Sequence, residues 1–458
     1  MRGIETIVAL ATPIGKGALA LIRLSGEHVR KITDNCSTLK SKKNIVEVPT
    51  HTIHYGTINE HDGKIIDSVL FFIMDGPRSF TGENSIEITC HNNPFIIKKI
   101  IEKFIEQGAK KALPGEFTER AVLNKKIDIL QAEAINDLLS AQSELETQLA
   151  LGQVEGTLSA AINQIDDQIS TIAAWCQASF EFLDEERDFR INILNKVITV
   201  NESVNALLEQ HSFYNLIKEG IKIGIVGNTN VGKSSLLNKI IKQQKAIVTD
   251  IPGTTRDIVE GIVHQDGMYW TFIDTAGIRM TKDIIEQAGI AKSHQIAEKA
   301  DIILLVFTEE EAKTTANKEL YESILKKYAN KIIMLKNKID TESKITKKED
   351  FLNHEYLEIS AKFGHGIDLV LSAIKEKKNY LLGNQKISYL INLRHVEALN
   401  YTHEKLKEIK TLLEKEETLY EIALAKLHEI QEKLTLMSGK TIQEKSFDKV
   451  FRSFCVGK

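Results

Sequence analysis

The sequence of 458 residues predicts a multidomain fold of the α/β plus all-α class, in which a mostly parallel α/β domain is inserted into a helical one. Three patterns predict it. Up to about residue 120, short β-like runs are mixed with Gly, Pro and Asn turns. From about Asp128 to Ser212, Gly and Pro are almost absent and apolar residues recur at helical spacing. Beyond Gly220, five short apolar runs alternate with helix-like stretches, as in parallel sheets.

These patterns divide the chain into four segments. Residues 1–121 are predicted to form an N-terminal α+β domain, with TIVALAT, ALALIRL, SVLFFIM and SIEITC as strands. Residues 122–217 and 381–458 are predicted to be two parts of one helical domain. Residues 218–380 contain the runs IKIGIVG, YWTFIDT, DIILLVF, KIIMLKN and YLEIS, which predict the nested α/β domain. Antiparallel helices can close around such a domain when its two ends lie together.

Composition excludes several classes of protein. The net charge of −4 gives no global basic field, so any contact with RNA has to come from a local surface. The four cysteines are far apart and form no CxxC pair, which disfavours a disulfide framework or a zinc site and favours a reducing compartment. The first apolar run soon meets Pro13, and no run approaches the ~20 residues of a membrane span. We therefore expect a cytoplasmic protein without a signal peptide or a membrane partner.

A phosphate-binding loop is the strongest local signal. Gly227 to Ser234, GNTNVGKS, fits G-x-x-x-x-G-K-[ST], and it lies between the strand IKIGIV and the helix SSLLNKII. In such a loop, backbone N–H groups and the helix N terminus surround the phosphates. Lys233 then reaches the outer phosphates, and the hydroxyl of Ser234 binds magnesium. A chance Gly-rich turn would lack the flanking strand and helix, so the pattern predicts a nucleotide site.

Three further motifs indicate which nucleotide binds. DTAG (274–277) ends the strand YWTFI, where the carboxylate of Asp274 can hold the magnesium shell. NKID (337–340) ends KIIML, and Asp340 can accept hydrogen bonds from guanine N1–H and N2–H, which adenine lacks. ISAK (359–362) ends the last strand and would back the base. All lie at the C-terminal ends of strands, where doubly wound sheets bind ligands. They resemble the small GTPases and predict a Ras-like P-loop G domain that binds GTP.

Two departures from that pattern concern hydrolysis. Ras-like proteins follow DTAG with a Gln that orients the attacking water, whereas this chain has Ile278, and no arginine finger is identifiable. Thr255 can ligate magnesium as a switch threonine does. Asn230 is a candidate ligand for a monovalent cation that would do the electrostatic work of an arginine. Asn230 can equally be a tolerated loop residue.

The chain as a whole resembles the tRNA-modification GTPases called MnmE or TrmE. The resemblance rests on TIVALATPIGKGALALIRLSG, SFTGENSIEITCH, LPGEFTERAVLNKKIDILQAEAINDLL, IVTDIPGTTRDIVEG and the C-terminal FCVGK. It implies a potassium-dependent GTPase whose G domains pair across a homodimer, and an N-terminal domain of the folate-binding type. It also implies a heterotetramer with an FAD- and NADH-dependent MnmG-type (GidA) subunit. Together they would add an aminomethyl or carboxymethylaminomethyl group to C5 of the wobble uridine of certain tRNAs, with 5-formyltetrahydrofolate as one-carbon donor.

The resemblance also assigns site residues. Magnesium would be held by Ser234 and Thr255. Glu286 would orient the water, although an exposed helix-start carboxylate is the plain alternative. The potassium ligands would be Asn230, Thr249, Ile251 and Thr254. The implied contacts with GTP are Asn230, Val231, Gly232, Lys233, Ser234, Ser235, Thr249, Asp250, Ile251, Pro252, Gly253, Thr254, Thr255, Asp274, Thr275, Ala276, Gly277, Asn337, Lys338, Asp340, Ser360, Ala361 and Lys362.

A second implied site binds the folate. Its residues would be Arg23, Glu87, Lys126 and Lys458, with Cys455 as a catalytic residue whose role is either chemical or structural. A carboxylate can pair with the amidine-like edge of a pterin, and cations can hold a glutamate tail. Taken singly, each of these charges would be read as a surface residue. The tail is expected to return to this domain, anchored by the apolar residues Val450, Phe451, Phe454 and Val456.

The chain departs from the family in two turns of this domain. In Gly15-Lys16-Gly17-Ala18-Leu19-Ala20, Ala18 and Ala20 stand where the family has glycines, and Asn92 and Asn93 replace two glycines after His91. Asn tolerates left-handed φ, so we expect the second turn to be kept. The sequence leaves open whether folate binding is preserved, where tRNA sits, which amine is used (glycine or ammonium) and how strongly the dimer holds.

Two other functions compete with this interpretation. One is a regulatory GTPase, for example in ribosome assembly, without modification chemistry of its own. The other is a prenylated membrane switch, suggested by a Cys four residues from the end. A prenylation box needs aliphatic residues after the Cys, and Gly457 and Lys458 fit it poorly.

Overall fold

The structure is a computed structural model. It describes residues 5–181, 189–228, 230–243, 259–265, 267–273, 286–312, 315–339, 347–351, 354–382, 387–415, 420–440, 454 and 457. Its contacts divide the chain into two compact units. The first unit comprises Met1–Leu139, Leu151–Val204 and Glu397–Lys458, and the second comprises Ser140–Ala150 and Asn205–Val396.

A seven-stranded sheet forms the N-terminal part of the first unit, among the described residues. Its strands are β1 (Ile7–Leu10), β2 (Leu19–Ser25), β3 (Ser37–Leu39), β4 (Thr52–Asn59), β5 (Ile65–Met74), β6 (Ser85–His91) and β7 (Lys110–Lys111). They lie in the order β3-β4-β5-β6-β2-β1-β7, and only β1 and β7 pair in parallel. Side chains alternate between the two faces of such a sheet: Val69, Phe71 and Ile73 of β5 are buried, whereas Leu70 is exposed. The predicted α+β fold of this part is confirmed.

Helices α1 (Val29–Asp34) and α2 (Pro94–Glu106) cover one face of this sheet. Helix α3 (Glu116–Leu123) lies on the opposite face, where its Phe117 clusters with Ile7 and Ala9 of β1. Ile100 and Phe104 of α2 belong to one core cluster with Ile22, Phe71 and Ile88 of the strands. The packing places the outward-facing residues of β2 and β6 on the other face, where the second candidate site is found.

The rest of the first unit, where the structure describes it, is mainly helical, as predicted. Its helices are α4 (Ile129–Ser140), α6 (Thr157–Glu181), the first half of α7 (Phe189–Lys218), α13 (Leu393–Leu413) and α14 (Tyr420–Ser438). Helices α6 and α14 pack along each other. Ile165, Ile169 and Ile172 of α6 are buried, as are Leu427 and Ile430 of α14, because residues three and four apart share one helix face. None of the described helices is long and apolar enough to span a membrane.

The second unit contains a doubly wound sheet of seven described strands. They are β8 (Ile221–Val226), β9 (Val259–Gln265), β10 (Met268–Ile273), β11 (Ile302–Phe307), β12 (Ile332–Lys336), β13 (Lys347–Phe351) and β14 (His354–Glu358). The order is β13-β14-β12-β11-β8-β10-β9, and the five predicted strands are its parallel ones. The two outermost strands, β9 and β13, run antiparallel to their neighbours. The predicted α/β domain is therefore confirmed, with two edge strands added.

Helices flank this sheet, and its ends lie together. The helices are α5 (Glu144–Val154), whose first turns belong to this unit, α8 (Lys233–Gln243), α9 (Glu286–Lys299), α10 (Glu309–Ala312), α11 (Thr315–Tyr328) and α12 (Ile367–Leu382). Gln210 on α7, before the sheet, accepts a hydrogen bond from the N–H of Ser388 beyond it (2.9 Å). His211 Nδ1 and the carbonyl of Ile391 are 2.7 Å apart. Entry and exit of the nested domain are thus adjacent, as an insertion requires.

Candidate functional site

The phosphate loop joins the end of β8 to the start of α8. Gly227 has φ +155°, and a Cβ there would lie 2.2 Å from the carbonyl oxygen of Val306 on β11. Gly232 has φ +100°, in the left-handed region that favours glycine. Both glycines of the motif are therefore required by the backbone path. The loop ends at the N terminus of α8, whose first amides point toward any bound anion.

Lys233 lies across this loop. Its Nζ donates hydrogen bonds to the carbonyls of Gly227 (2.8 Å) and Asn228 (2.6 Å). The ammonium is thereby held inside the concave side of the loop. The next residue, Ser234, is half-buried in the first turn of α8, and Ser235 is exposed. A cation and a hydroxyl at this place are what a magnesium-bound phosphate needs.

Asn337 connects the phosphate loop to two other strand ends. Its Nδ2 donates to the carbonyl of Val231 (2.6 Å), and its Oδ1 accepts from the N–H of Ala361 (2.9 Å). Its own N–H donates to the carbonyl of Phe307 at the end of β11 (2.8 Å). A Cβ on Gly232 would lie 2.2 Å from Asn337 Nδ2, so this amide also explains the second glycine of the loop. The buried Asn337 fixes three segments in one site.

Backbone hydrogen bonds hold the segments that follow β12 and β14. Lys338 has φ +69°, and the N–H of Ile339 donates to the carbonyl of Ile359 (3.3 Å). Ser360 is fully buried, and its N–H donates to the carbonyl of His365 (3.0 Å). Lys362 Nζ lies 5.2 Å from the centroid of the Phe363 ring. The structure thus brings the described members of NKID and ISAK beside the phosphate loop.

Asn230 has a conformation that explains part of its presence. Its φ is +65° and its side chain is exposed at the loop surface. Asn is among the few non-glycine residues that adopt such a φ readily. The backbone alone therefore favours Asn or Gly here, independently of any ligand for the side chain.

A second polar cluster lies on the face of the N-terminal sheet opposite α1 and α2. Arg23 of β2 is directly opposite Glu87 of β6, and its Nε and Nη2 each lie 2.7 Å from Glu87 Oε1. The guanidinium carbon of Arg23 is 5.6 Å from the centroid of Phe80 and 5.7 Å from that of Phe117. Such stacking fixes the plane of the guanidinium. Arg23 and Glu87, predicted as two separate contacts of a ligand, are thus bonded to each other.

Lys126 contacts the loop that carries Phe80. Its Nζ donates to the carbonyl of Pro77 (2.8 Å), and its stem packs beside Gly82. The structure therefore places Lys126 against residues 77–82, the loop whose Phe80 stacks on Arg23.

The sequence interpretation missed a buried ion-pair network beneath this cluster. Arg120 of α3 is 3% exposed and lies 3.1 Å from Glu83 and 2.9 Å from Glu116. Glu83 also accepts from Ser25 Oγ (2.7 Å), and Arg120 donates to the carbonyl of Glu5 (2.9 Å). The spacing of Glu116 and Arg120, four residues apart at a helix start, was the available signal. The network fixes loop 77–84 to β2 and α3.

The described residues of the C-terminal tail pack within the same unit. Phe454 is 6% exposed in a cluster with Val122, Ile129 and Ala132. The carbonyl of Gly457 accepts a hydrogen bond from Arg23 Nη1 (3.2 Å). The prediction that Phe454 anchors the tail is confirmed.

Comparisons with known proteins cover nearly the whole chain. The family model described as GTP-binding protein TrmE N-terminus matches residues 6–126, and the MnmE helical domain matches residues 129–455. A protein of Aquifex aeolicus named tRNA modification GTPase MnmE is 36% identical over 99% of this chain and 100% of its own length. Proteins of the same name from Cytophaga hutchinsonii and Bacillus velezensis are 35% and 34% identical over 99% of this chain.

The chain belongs to the MnmE family. It is therefore a member of a family of GTPases named for tRNA modification. Among solved structures, the G domain of the T. maritima FeoB iron transporter is similar to this chain, at 25% identity and a TM-score of 0.25, covering 36% of this chain and 99% of that one.

Several residues that the sequence singles out lie outside the described part of the chain. They are Thr249, Asp250, Ile251, Pro252, Gly253, Thr254, Thr255, Asp274, Thr275, Ala276, Gly277, Ile278, Asp340, Val450, Phe451, Cys455, Val456 and Lys458. For Glu286 the structure describes the backbone, at the start of α9, but not the side chain. Their roles stay predictions.

The turns that depart from the MnmE family pattern contact each other. Asn92 Nδ2 donates to the carbonyl of Gly15 (3.0 Å), and its N–H donates to that of Ala18 (3.1 Å). Neither Asn92 nor Asn93 has a positive φ, so the tolerance of Asn for left-handed φ is not used in this turn. Asn93 has φ −114° and caps α2 by accepting from the N–H of Phe95 (2.9 Å). The physical reason is the following Pro94, which favours an extended residue before it and a helix start at itself.

Proposed function

We propose that this protein binds and hydrolyses GTP, and that it uses the cycle in modification of the wobble uridine of tRNA. The observation that carries the GTP part is the bridge made by Asn337 between Val231 of the phosphate loop and Ala361 of the last loop. A site assembled in this way can hold phosphates and a base at once. The tRNA part is supported by the name of relatives that match the chain over its length.

The described residues fit a nucleotide with magnesium. Lys233 would neutralise the outer phosphates from inside the loop, and the hydroxyl of Ser234 suits a hard cation that prefers oxygen ligands. Bound magnesium would offset charge on the phosphate oxygens. Thr255 would complete its protein ligands, and Asp340 would select guanine. Asn337 keeps these groups in register by fixing the loop backbones.

Potassium is proposed to replace the missing arginine. The amide oxygen of Asn230 would ligate it together with Thr249, Ile251 and Thr254, and Glu286 would orient the attacking water. The exposed position of Asn230 on the loop fits a cation that is shared with a second G domain in a homodimer. The test is GTP turnover of the purified protein in potassium and in sodium buffers. Equal rates would contradict the potassium part and leave GTP binding standing.

The cluster on the N-terminal sheet is proposed to bind 5-formyltetrahydrofolate. A carboxylate and a guanidinium that are half-buried beside two aromatic rings fit a flat heterocycle with donor and acceptor edges. Glu87 would recognise the pterin edge, while Lys126 and Lys458 would hold the carboxylates of its tail. The folate supplies the one-carbon unit when bound. Cys455 is proposed to act at this site.

The full reaction is proposed to need a partner. A flavin- and NADH-dependent MnmG-type subunit would join the homodimer in a heterotetramer and supply the redox chemistry, and the product would be an aminomethyl or carboxymethylaminomethyl uridine. The deciding experiment is mass spectrometry of wobble uridines from a strain in which this gene is the one family member, with the partner present. Unmodified uridine would overturn the proposal. If the protein then co-sedimented with ribosomes and bound no 5-formyltetrahydrofolate, a regulatory GTPase would be the better description.

A further inference from the structure

We propose that Arg23 is a positioning residue, which anchors the C-terminal tail to the N-terminal sheet through the backbone carbonyl of Gly457. Residues 23 and 457 are separated by almost the whole chain, yet Arg23 Nη1 donates to that carbonyl at 3.2 Å. The anchoring is a property of the folded chain by itself. Its consequence for catalysis rests on the proposed function, in which Cys455 acts at the folate site.

Arg23 is suited to this task because its orientation does not depend on the tail. Glu87 binds its Nε and Nη2, and Phe80 and Phe117 lie near the guanidinium. Nη1 is thereby aimed in one direction before the tail arrives. A donor held in this way loses little conformational entropy when it binds the carbonyl.

Gly457 is suited to the same contact from the other side. Its φ is +95°, and a Cβ on it would lie 2.3 Å from the carbonyl oxygen of Leu10 and 2.9 Å from Cα of Ala11. Both the conformation and the space therefore require glycine, because real Cβ atoms do not approach backbone atoms so closely. The penultimate residue of the chain is fitted against the end of β1.

The two described tail residues define two anchors. Phe454 is buried among Val122, Ile129 and Ala132, and Gly457 is buried between β1 and Arg23. Cys455 lies between these anchors in the sequence. Each anchor restricts the tail, so we infer that loss of the Gly457 anchor increases the accessibility of the Cys455 thiol without unfolding either unit.

The remaining cysteines make this inference measurable. Cys36, Cys90 and Cys176 are at most 2% exposed. Burial raises the pKa of the Cys36 thiol to about 12 and those of Cys90 and Cys176 to about 11. Alkylation requires an accessible thiolate, so these three react slowly in the folded protein. Iodoacetamide added to the full-length native chain should therefore report on Cys455, with the site assigned by peptide mass spectrometry.

The variants are Arg23→Gln and Gly457→Ala, which remove the contact from opposite sides. Each should raise the alkylation rate of Cys455 by about tenfold, as expected when a hydrogen bond to a charged group restrains local opening. The double variant should add little to either single one, because both act on one contact. Arg23→Lys keeps the positive charge but lacks the planar guanidinium with its several N–H donors, so it should retain part of the protection of Cys455 against alkylation.

Arg30→Gln is the matched control. Arg30 makes a comparable fork with Asp75 in the same unit, and its side chain has the same 16% exposure as that of Arg23. This variant should leave the alkylation rate of Cys455 unchanged.

A wild-type alkylation rate in both Arg23→Gln and Gly457→Ala, or an equally large rise in Arg30→Gln, would overturn the proposal. Alkylation of all four cysteines in the Arg23 variant would do the same, since it would mean general unfolding. The assay uses neither folate nor tRNA, so its failure is distinct from failure of the proposed function.

Discussion

Asn337 Nδ2 donates a hydrogen bond of 2.6 Å to the carbonyl of Val231, and thereby fastens the loop after β12 to the phosphate loop. The same side chain accepts from Ala361 N–H through Oδ1, so both ends of the amide are used. Because the residue is 4% exposed, loss of either end leaves a backbone group buried without its partner. This relationship gives the first prediction.

Asn337→Asp should weaken GTP binding by at least tenfold. The substitution keeps the shape and the acceptor toward Ala361, but it places a carboxylate oxygen against the carbonyl of Val231. A lost hydrogen bond plus repulsion corresponds to about 2 kcal/mol or more. Titration with a fluorescent GTP analogue measures it. Asn59→Asp, on the N-terminal sheet, is the control and should bind as the wild type does, while equal affinities of the two variants would argue against the bridge.

Asn230→Gly separates the two explanations of that residue. Glycine adopts the positive φ of +65° and removes the whole side chain, including the amide oxygen. If the oxygen ligates potassium, the variant should bind GTP normally and hydrolyse it at the same low rate in potassium and sodium. Asn230→Ala, which also strains the backbone, should lose GTP affinity as well. Retained potassium stimulation in Asn230→Gly would mean that the backbone alone explains this Asn.

Cys455→Ser tests the division of labour between the two units. In the sequence, Cys455 lies between two anchors in the first unit, Phe454 and Gly457, whereas the described GTP motifs belong to the second unit. We expect tRNA modification to fall by tenfold or more, as it does when a general acid–base or nucleophilic residue is removed. GTP turnover should stay within about twofold of the wild-type rate. Wobble-uridine mass spectrometry and phosphate release measure the two activities. A parallel loss of both would show that the cysteine is structural.

The central strands β10 and β11 of the G domain were predictable because each is a short apolar run buried on both faces. Every position of β10 and β11 is buried. The edge strands β9 and β13 escaped prediction for the opposite reason. Strand β9 (VEGIVHQ) contains polar residues and a glycine, and β13 (KKEDF) is mostly charged. Each pairs with one neighbour only among the described strands.

The sites were predictable to the extent that motif residues follow strands directly. Lys233 and Asn337 come immediately after strand ends or at a helix start, so the sheet brings them together. The Arg23–Gly457 contact and the Glu83–Arg120 ion pair could not be found in this way, because they join elements far apart in the chain. Their geometry depends on side-chain packing, which no spacing rule encodes.

Acid should weaken the N-terminal domain through Asp75. The side-chain hydrogen bonds from Arg30, together with its charge and that of His51, hold the pKa of the Asp75 carboxyl below its ordinary value. The carboxylate is therefore favoured by folding. Its contribution to stability is fully present above the unfolded pKa of about 3.9 and disappears as the pH falls through the lower, folded pKa.

Asp75→Asn should accordingly lower the free energy of unfolding by about 1 kcal/mol at pH 7 and by less at pH 3. Chemical denaturation followed by circular dichroism measures the difference. Asp62→Asn is the control, since its pair with Lys64 joins two exposed side chains and should contribute little at any pH. If the difference in free energy of unfolding between wild type and Asp75→Asn grew as the pH fell toward 3, the assignment would be contradicted.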